Sequence, residues 1–305
     1  MVPGVVLVAI AAAMWGTDPI IRKPLSTSTT ATTIVFGEHV VLVLLTLPLL
    51  VPALRAMLRA GWRYVVCAVI IGAGSSALAT ILFTEALFHS DFVTPVVLQK
   101  IQPLIAVVAA AIILGERARP RFAWFLVPAL LGFWLINQPH PLDPTAKGLV
   151  PMAQATLAAL LWALGTVLGR YMSRELEFQH IVSLRFFFGL IGAAIALPIM
   201  GAKAWAGYHD SLWIGYLGIV TGLFALSLYY IGLGRTPAML ASLAELTYPV
   251  IAVFAGVYAY NAHLRWTQWL GALIIIGVVS LLPFQRRRSV VALPAGQHAV
   301  LAPST

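Results

Sequence analysis

Two short stretches hold most of the chemistry available to this sequence. Gln99-Lys100-Ile101-Gln102-Pro103-Leu104-Ile105-Ala106-Val107 opens a long apolar run. Glu245-Leu246-Thr247-Tyr248-Pro249-Val250-Ile251-Ala252-Val253 repeats its design, with an offset of 146 between Pro103 and Pro249. Each pairs a polar or charged side chain with a central proline, and both are costly inside an apolar helix. A lysine at the centre of a membrane helix costs about 2.5–3.5 kcal/mol even on the lenient insertion scale. Proline removes an N–H and frees the carbonyl one turn earlier. Pro103 and Pro249 are therefore expected helix kinks. Ionisable groups within apolar spans are functional hypotheses by default. Lys100, about 10 Å deep at roughly 1.5 Å per residue, suits a substrate carboxylate; the competing reading is snorkelling or a structural ion pair. Glu245, the counterpart of Gln99, suits a substrate ammonium or a transported proton; the competing reading is a carboxyl bonded to a neighbouring helix. Gln99, Gln102 and Tyr248 add hydrogen-bonding capacity on nearby faces.

The elements that position these groups are membrane helices. The chain of 305 residues is 61% hydrophobic and 10% charged, with a mean hydropathy of +0.94. A soluble domain carries about 25% charged residues, so lipid must be the solvent for most of this surface. The net charge of +9 sits in short turns between apolar runs, which argues for membrane loops and against a nucleic-acid partner. The single cysteine, Cys67, excludes an internal disulfide and reads as a small buried hydrophobe. No His/Cys/Asp/Glu cluster has metal-ligand spacing, and no cofactor is implied.

Ten apolar runs have the length of a bilayer span, about 17–24 residues. They cover 3–21, 31–52, 64–87, 93–114, 121–137, 148–169, 180–200, 212–233, 238–260 and 266–283. The first has no basic leader and reads as a span, not a signal peptide. The expected fold is an all-α polytopic membrane protein. Of the nineteen lysines and arginines, twelve fall on one side, among them Arg55, Arg117, Arg170 and Arg286. Arg22, Lys23, Lys147, Lys203 and Arg265 fall on the other, and Lys100 and Arg185 lie inside spans. The positive-inside rule then puts both termini in the cytoplasm. Trp62, Trp124, Trp205, Trp213, Trp266 and Trp269 lie near span ends, as an interfacial belt requires.

The halves also align outside the proline motif. Trp15 matches Trp162, Lys23 matches Arg170, and Glu38 falls opposite Arg185, all at an offset of 147. Five spans per half is an odd number, so the second copy enters the membrane inverted, the architecture of many secondary transporters. This gives a first five-helix repeat at 1–137, an inter-repeat loop at 138–147, a second repeat at 148–283 and a cytoplasmic tail at 284–305 that is expected to be disordered.

Trp15, Asp18 and Arg22 share a face of the first span. Asp18 with Arg22 or Lys23 reads either as a gate ion pair near the outer end or as a surface pair of little worth. Trp15 and Trp162 lie too deep for the interfacial belt, so they line a cavity or pack the core. Phe83, Tyr229 and Tyr230 would supply an aromatic wall, although aromatic residues at helical spacing are more often core. His39 is adjacent to Glu38 but points elsewhere, so it is not its pair. Gly72, Gly74, Ser75 and Ser76 make the third span thin and polar. Ala11, Gly165 and Gly169 permit close helix approach.

Two five-helix halves, an early tryptophan in each, and the Pro-x-Ile-Ala-Val helix running into Leu114-Gly115-Glu116-Arg117 resemble the drug/metabolite transporter superfamily, and within it the EamA-like bacterial exporters. The resemblance covers about residues 5–283, and the Leu-Gly-Glu-Arg turn is its most specific piece. The second half departs from it, with Tyr260-Asn261-Ala262-His263 in place of that turn. The resemblance implies a central cavity lined mainly by the first, third, fourth, sixth, eighth and ninth spans. It implies export of amino acids or other small metabolites, sometimes of toxic cations, across the bacterial inner membrane. The second and seventh spans would then be peripheral, which makes Glu38 and Arg185 packing groups. The same layout favours a cavity-lining role for Trp15.

The sequence is thus read as a secondary transporter that exports amino acids, aromatic or other neutral ones, or similar metabolites, and not as an enzyme. Efflux of organic cations is the alternative. Nucleotide sugars or organic phosphates need several deep cations, and only Lys100 and Arg185 qualify. A membrane enzyme is disfavoured because no His-Glu-x-x-His, Gly-x-Gly-Asp or Gly-x-Ser-x-Gly motif occurs. No ATP-binding loop is present either. A channel would need a continuous polar pore. Protons are the candidate coupling ion, through Glu245, and a monomer can suffice.

Overall fold

A computed structural model of the chain describes residues 2–89, 99, 101–116, 123–137, 149–260 and 265–287. All regular structure among them is helical. Helices α1 (Gly4–Trp15) and α2 (Asp18–Leu25) are followed by α3 (Ala31–Ala60). Next come α4 (Trp62–Val69), a π-helical segment at Ile70–Leu78, and α5 (Ala79–His89). Then follow α6 (Gln102–Leu114), α7 (Ala123–Asn137), α8 (Leu149–Met172) and α9 (Phe178–Ile199). The chain continues with α10 (Tyr208–Leu217), a second π-helical segment at Gly218–Phe224, and α11 (Ala225–Leu233). It ends with α12 (Ala238–Ala244), α13 (Thr247–Tyr260) and α14 (Trp266–Arg287).

Six stretches among the described residues are helical, long and apolar enough to cross a bilayer: Gly4–Arg22, Ala31–Ala60, Trp62–His89, Val150–Met172, Phe178–Ile199 and Tyr208–Leu233. Shorter apolar helices lie at Ile105–Leu114, Ala123–Gly132, Ala238–Ala252 and Trp266–Leu281. The outer surface is apolar: Ile112 and Ile199 are 78% and 75% exposed. In water such a surface would aggregate; in lipid it is the solvated face. Trp62, Trp124 and Trp266 also point outward. The protein is a multi-pass membrane protein.

Helix–helix contacts rest on small residues, because burial against lipid tails supplies little drive and close packing must do so. α1 packs on α11, where a Cβ at Gly4 would stand 2.6 Å from the Gly232 carbonyl oxygen. α8 packs on the third run, where a Cβ at Gly165 would collide with Ser75 Oγ. α3 lies along α9 and α7 along α14.

The interruptions matter most for the site. The two π segments fall at matching places: Gly72 to Ser76 and Gly218 to Gly222 are related by the offset of 146. π-helical turns widen the backbone and are frequent at functional sites. A further break separates α12 from α13. Pro249 has no N–H for the Glu245 carbonyl, which instead accepts from Tyr248 N–H at 3.0 Å. Glu245 and Leu246 form a turn inside an apolar run. The expected kink is therefore a full interruption. Pro249→Ala is expected to let α12 and α13 join and to move the Glu245 carboxylate. A misplacement of order 1 Å can cost about 100-fold in a positioned site, so a fall in transport of at least about tenfold with unchanged expression is the expected result.

Candidate functional site

The breaks and π turns surround one cavity of about 200 Å³ inside the bundle. Its polar floor is built on Glu245. Gln102 Nε2 donates to Glu245 Oε2 at 2.5 Å, and the Tyr229 hydroxyl donates to Oε1 at 2.9 Å. Thr166 Oγ1 stands 3.2 Å from the same oxygen and 2.8 Å from the Tyr229 hydroxyl. Donors thus converge on the carboxylate from α6, α8 and α11. Gln99 and Tyr248 also face the cavity. Lys100 lies outside the described residues.

Two aromatic pairs form the walls. Trp15 meets Tyr229 with ring centroids 5.2 Å apart, and Trp162 meets Phe83 at 5.2 Å. The pairs are related by the repeat offset: Trp15 corresponds to Trp162, and Phe83 to Tyr229. All four line the cavity. Trp15 Nε1–H donates to the Thr221 carbonyl at 2.7 Å, a bond made in the second π segment. Tyr230 does not belong to the wall. It is fully buried behind Tyr229 and fills the space left by Gly169.

A buried ion-pair triad closes one side. Arg22 Nε and Nη2 donate to the two oxygens of Asp18 at 2.6 and 2.9 Å, and Nη2 also reaches Glu38 Oε1 at 2.7 Å. Thr221 Oγ1 lies 3.2 Å from Asp18 Oδ2. Arg22 is 6% exposed, so the pair is not the weak surface contact that was one reading of it. Asp18 bonds Arg22 through both oxygens, the strong form of the contact. The side chain of Lys23 is outside the description.

Glu38 and Arg185 are a correction. They were expected at the periphery, as ion pairs or hydrogen bonds that fix packing; Glu38 does pair with Arg22, but both line the cavity. Arg185 Nε donates to Ser76 Oγ at 3.2 Å and Nη1 to the Tyr230 hydroxyl at 3.2 Å. α3 and α9 therefore contribute to the site together with the other spans. Sequence reasoning did not place His39, Thr166 or Thr221 in the cavity; Ser75 and Ser76, read as a thin and polar stretch, line it as well. The repeat offset was the available signal, since it pairs Thr221 with Ser75 and Gly222 with Ser76. Among the described residues no three His, Cys, Asp or Glu side chains cluster as metal ligands.

The EamA-like transporter family matches the chain twice, over residues 2–138 and 150–283. The chain belongs to the EamA-like transporter family. Two of its relatives bear the names of transporters. It is 27% identical to the riboflavin transporter ImpX of Fusobacterium nucleatum, over 90% of this chain and 95% of that protein. It is 23% identical to the pseudopaline exporter CntI of Pseudomonas aeruginosa, over 91% and 95%. A solved crystal structure shares the fold, with a TM-score of 0.72 at 15% identity over 94% of this chain and 99% of the other.

The Leu-Gly-Glu turn of this EamA-like chain has a visible task. Gly115 takes the left-handed conformation (φ 69°) that ends α6 and reverses the chain. Glu116 then reaches the start of α12, where Ala238 N–H donates to Oε2 at 3.1 Å, with Arg170 Nε 3.9 Å away. Burial pushes the Glu116 carboxyl above its ordinary range, against the pull of Arg170. Arg170 Nη1 also caps the end of α11 through the Leu233 and Gly234 carbonyls. Glu116→Ala is expected to cost about 1 kcal/mol, as loss of a helix cap does, while Glu116→Gln keeps an acceptor and loses less. Thermal melting of the purified variants reads the difference.

Proposed function

We propose that this chain is a secondary transporter that exports amino acids, aromatic or other neutral ones, or similarly built small metabolites. It works by alternating access in the bacterial inner membrane, with both termini cytoplasmic. The ten apolar runs form ten spans, as two inverted repeats at 1–137 and 148–283 joined by 138–147 and followed by the tail 284–305. One half rocks against the other around a fixed central site. The observation that carries the reading is the juxtaposition of Glu245 with the two aromatic pairs in one membrane-embedded cavity. A carboxylate held by converging donors suits a substrate ammonium, and aromatic faces suit a flat or apolar side chain and attract a cation nearby. Lys100, from the sequence, is a candidate for the substrate's carboxylate end. Glu245 is the candidate proton carrier.

A second reading has its own support. The relative of 27% identity is a riboflavin transporter, and paired aromatic walls suit a flat heteroaromatic ring as well as an aromatic side chain.

The test is reconstitution in liposomes with labelled amino acids and riboflavin, with and without a pH gradient. Saturable amino-acid flux that is lost in Glu245→Ala and Lys100→Ala supports the first reading. Riboflavin flux without amino-acid flux supports the second. Flux that ignores the pH gradient makes the protein a uniporter.

A further inference from the structure

We infer that Arg185, with Ser75, forms an anion site in the cavity that takes the carboxylate of an organic acid or amino acid. The proposal concerns a binding site; its physiological meaning rests on the transport reading.

Arg185 brings a guanidinium into a membrane-embedded cavity, where an uncompensated charge is costly. Asp18 and Glu38 are engaged by Arg22. Arg185 has no carboxylate within 4.0 Å among the described residues, and its two hydrogen bonds go to neutral hydroxyls. A guanidinium with no carboxylate in direct contact is suited to a ligand that supplies one.

The surrounding groups hold this guanidinium in place. Arg185 Nε–H donates to Ser76 Oγ, so the Ser76 hydroxyl proton is free to point at His39 Nε2, 3.0 Å away. His39 Nδ1–H then donates to the Val35 carbonyl at 2.7 Å. Every donor in this relay has an acceptor when His39 is neutral with its proton on Nδ1. The Tyr230 hydroxyl fixes Nη1 from the other side. The fork is thereby aimed by neutral groups that leave its charge intact.

A second donor stands beside it. Ser75 Oγ is buried, lines the cavity, and has no hydrogen-bond partner among the described residues. Both groups adjoin Gly165: a Cβ there would collide with Ser75 Oγ and make an ordinary contact, at 3.8 Å, with Arg185 Nη1. The next residue, Thr166, belongs to the Glu245 cluster. An anion pocket and a cation-binding carboxylate therefore border the same turn of α8, the arrangement a zwitterion needs. The planar fork favours a carboxylate, which guanidinium binds in bidentate fashion.

The test measures binding of labelled 3-phenylpropionate and of labelled phenethylamine to the purified full chain. The two probes share a ring and differ in the charged end. Arg185→Gln is expected to weaken phenylpropionate about tenfold or more, the size of a lost charge-assisted bond, and to leave phenethylamine within about twofold. Arg185→Lys should fall between, and Ser75→Ala should show a smaller loss for the acid alone. Thermal melting checks that each variant is folded. The proposal is overturned if phenylpropionate does not bind the unmodified protein, binds Arg185→Gln unchanged, or is lost together with phenethylamine. Liposome flux separates the two claims: Arg185-dependent acid binding without amino-acid transport sinks the amino-acid reading and leaves the anion site standing.

Discussion

Glu245→Ala is expected to lower transport by about 100-fold. The carboxylate is the acceptor for Gln102, Tyr229 and, at longer range, Thr166. Removing it strips the substrate ammonium of its partner and leaves the Gln102 amide without its acceptor, while the Tyr229 hydroxyl keeps Thr166 Oγ1. A hydrogen bond to a charged group contributes about 1.5–3 kcal/mol, and about 3 kcal/mol corresponds to a factor of more than 100. The stranded amide adds to the loss. Glu245→Gln separates two roles. The amide keeps the volume and one acceptor oxygen, but its NH2 must face a donor. If Glu245 carries the coupling proton, this variant keeps downhill exchange at a reduced rate and loses export driven by a pH gradient. Export against a substrate gradient with an unchanged pH dependence would show that Glu245 carries no proton. Flux assays across pH, with inward and outward substrate gradients, decide between these outcomes.

The parts of the site that could be read in sequence were those marked by a local violation. A glutamate and a proline inside an apolar run break two rules at once, and the run at Glu245–Pro249 is where α12 ends and the carboxylate enters the cavity. The repeat offset likewise marked Trp15 with Trp162; Phe83 and Tyr229, grouped in sequence only as aromatic candidates, complete the two wall pairs. What could not be read was partner choice. Hydropathy says which residues are buried but not which helix covers them, so Arg22 could not be joined to Glu38 sixteen residues later. The length of a side chain also misled: α9 was expected to be peripheral, yet the Arg185 guanidinium extends past Ser76 into the cavity. Tyr230 erred in the opposite direction, since its neighbour Tyr229 takes the wall and Gly169 leaves room for Tyr230 behind it. The π segments were visible only as a thin, glycine-rich stretch, because a one-residue change of helical register leaves composition unchanged. The paired interruptions show that the repeat extends to backbone irregularities, which were expected at the prolines alone.

Arg22→Gln is expected to cost about 3–5 kcal/mol of stability, the penalty for leaving a buried charge unpaired. Here two carboxylates lose their shared guanidinium. Asp18 and Glu38 would face each other across the vacated space. Arg22→Lys should recover only part of the loss, because an ammonium cannot bond both oxygens of Asp18 while reaching Glu38. Glu38→Gln alone should be mild, since Asp18 still neutralises Arg22. Combining Arg22→Gln with Glu38→Gln and Asp18→Asn removes every charge and should return the melting temperature close to that of the unmodified protein, as neutral replacement of a buried ionic network often does. Transport by that triple variant then decides what the network is for. A purely structural network is replaceable, so transport returns together with stability. A gate is not: Asp18 and Arg22 stand on α2, just beyond the Gly16–Thr17 break, while Glu38 stands on α3, so the triad joins a short helix to a long one. If alternating access requires this bond to open and close, the triple variant folds normally, binds substrate, and exchanges it slowly.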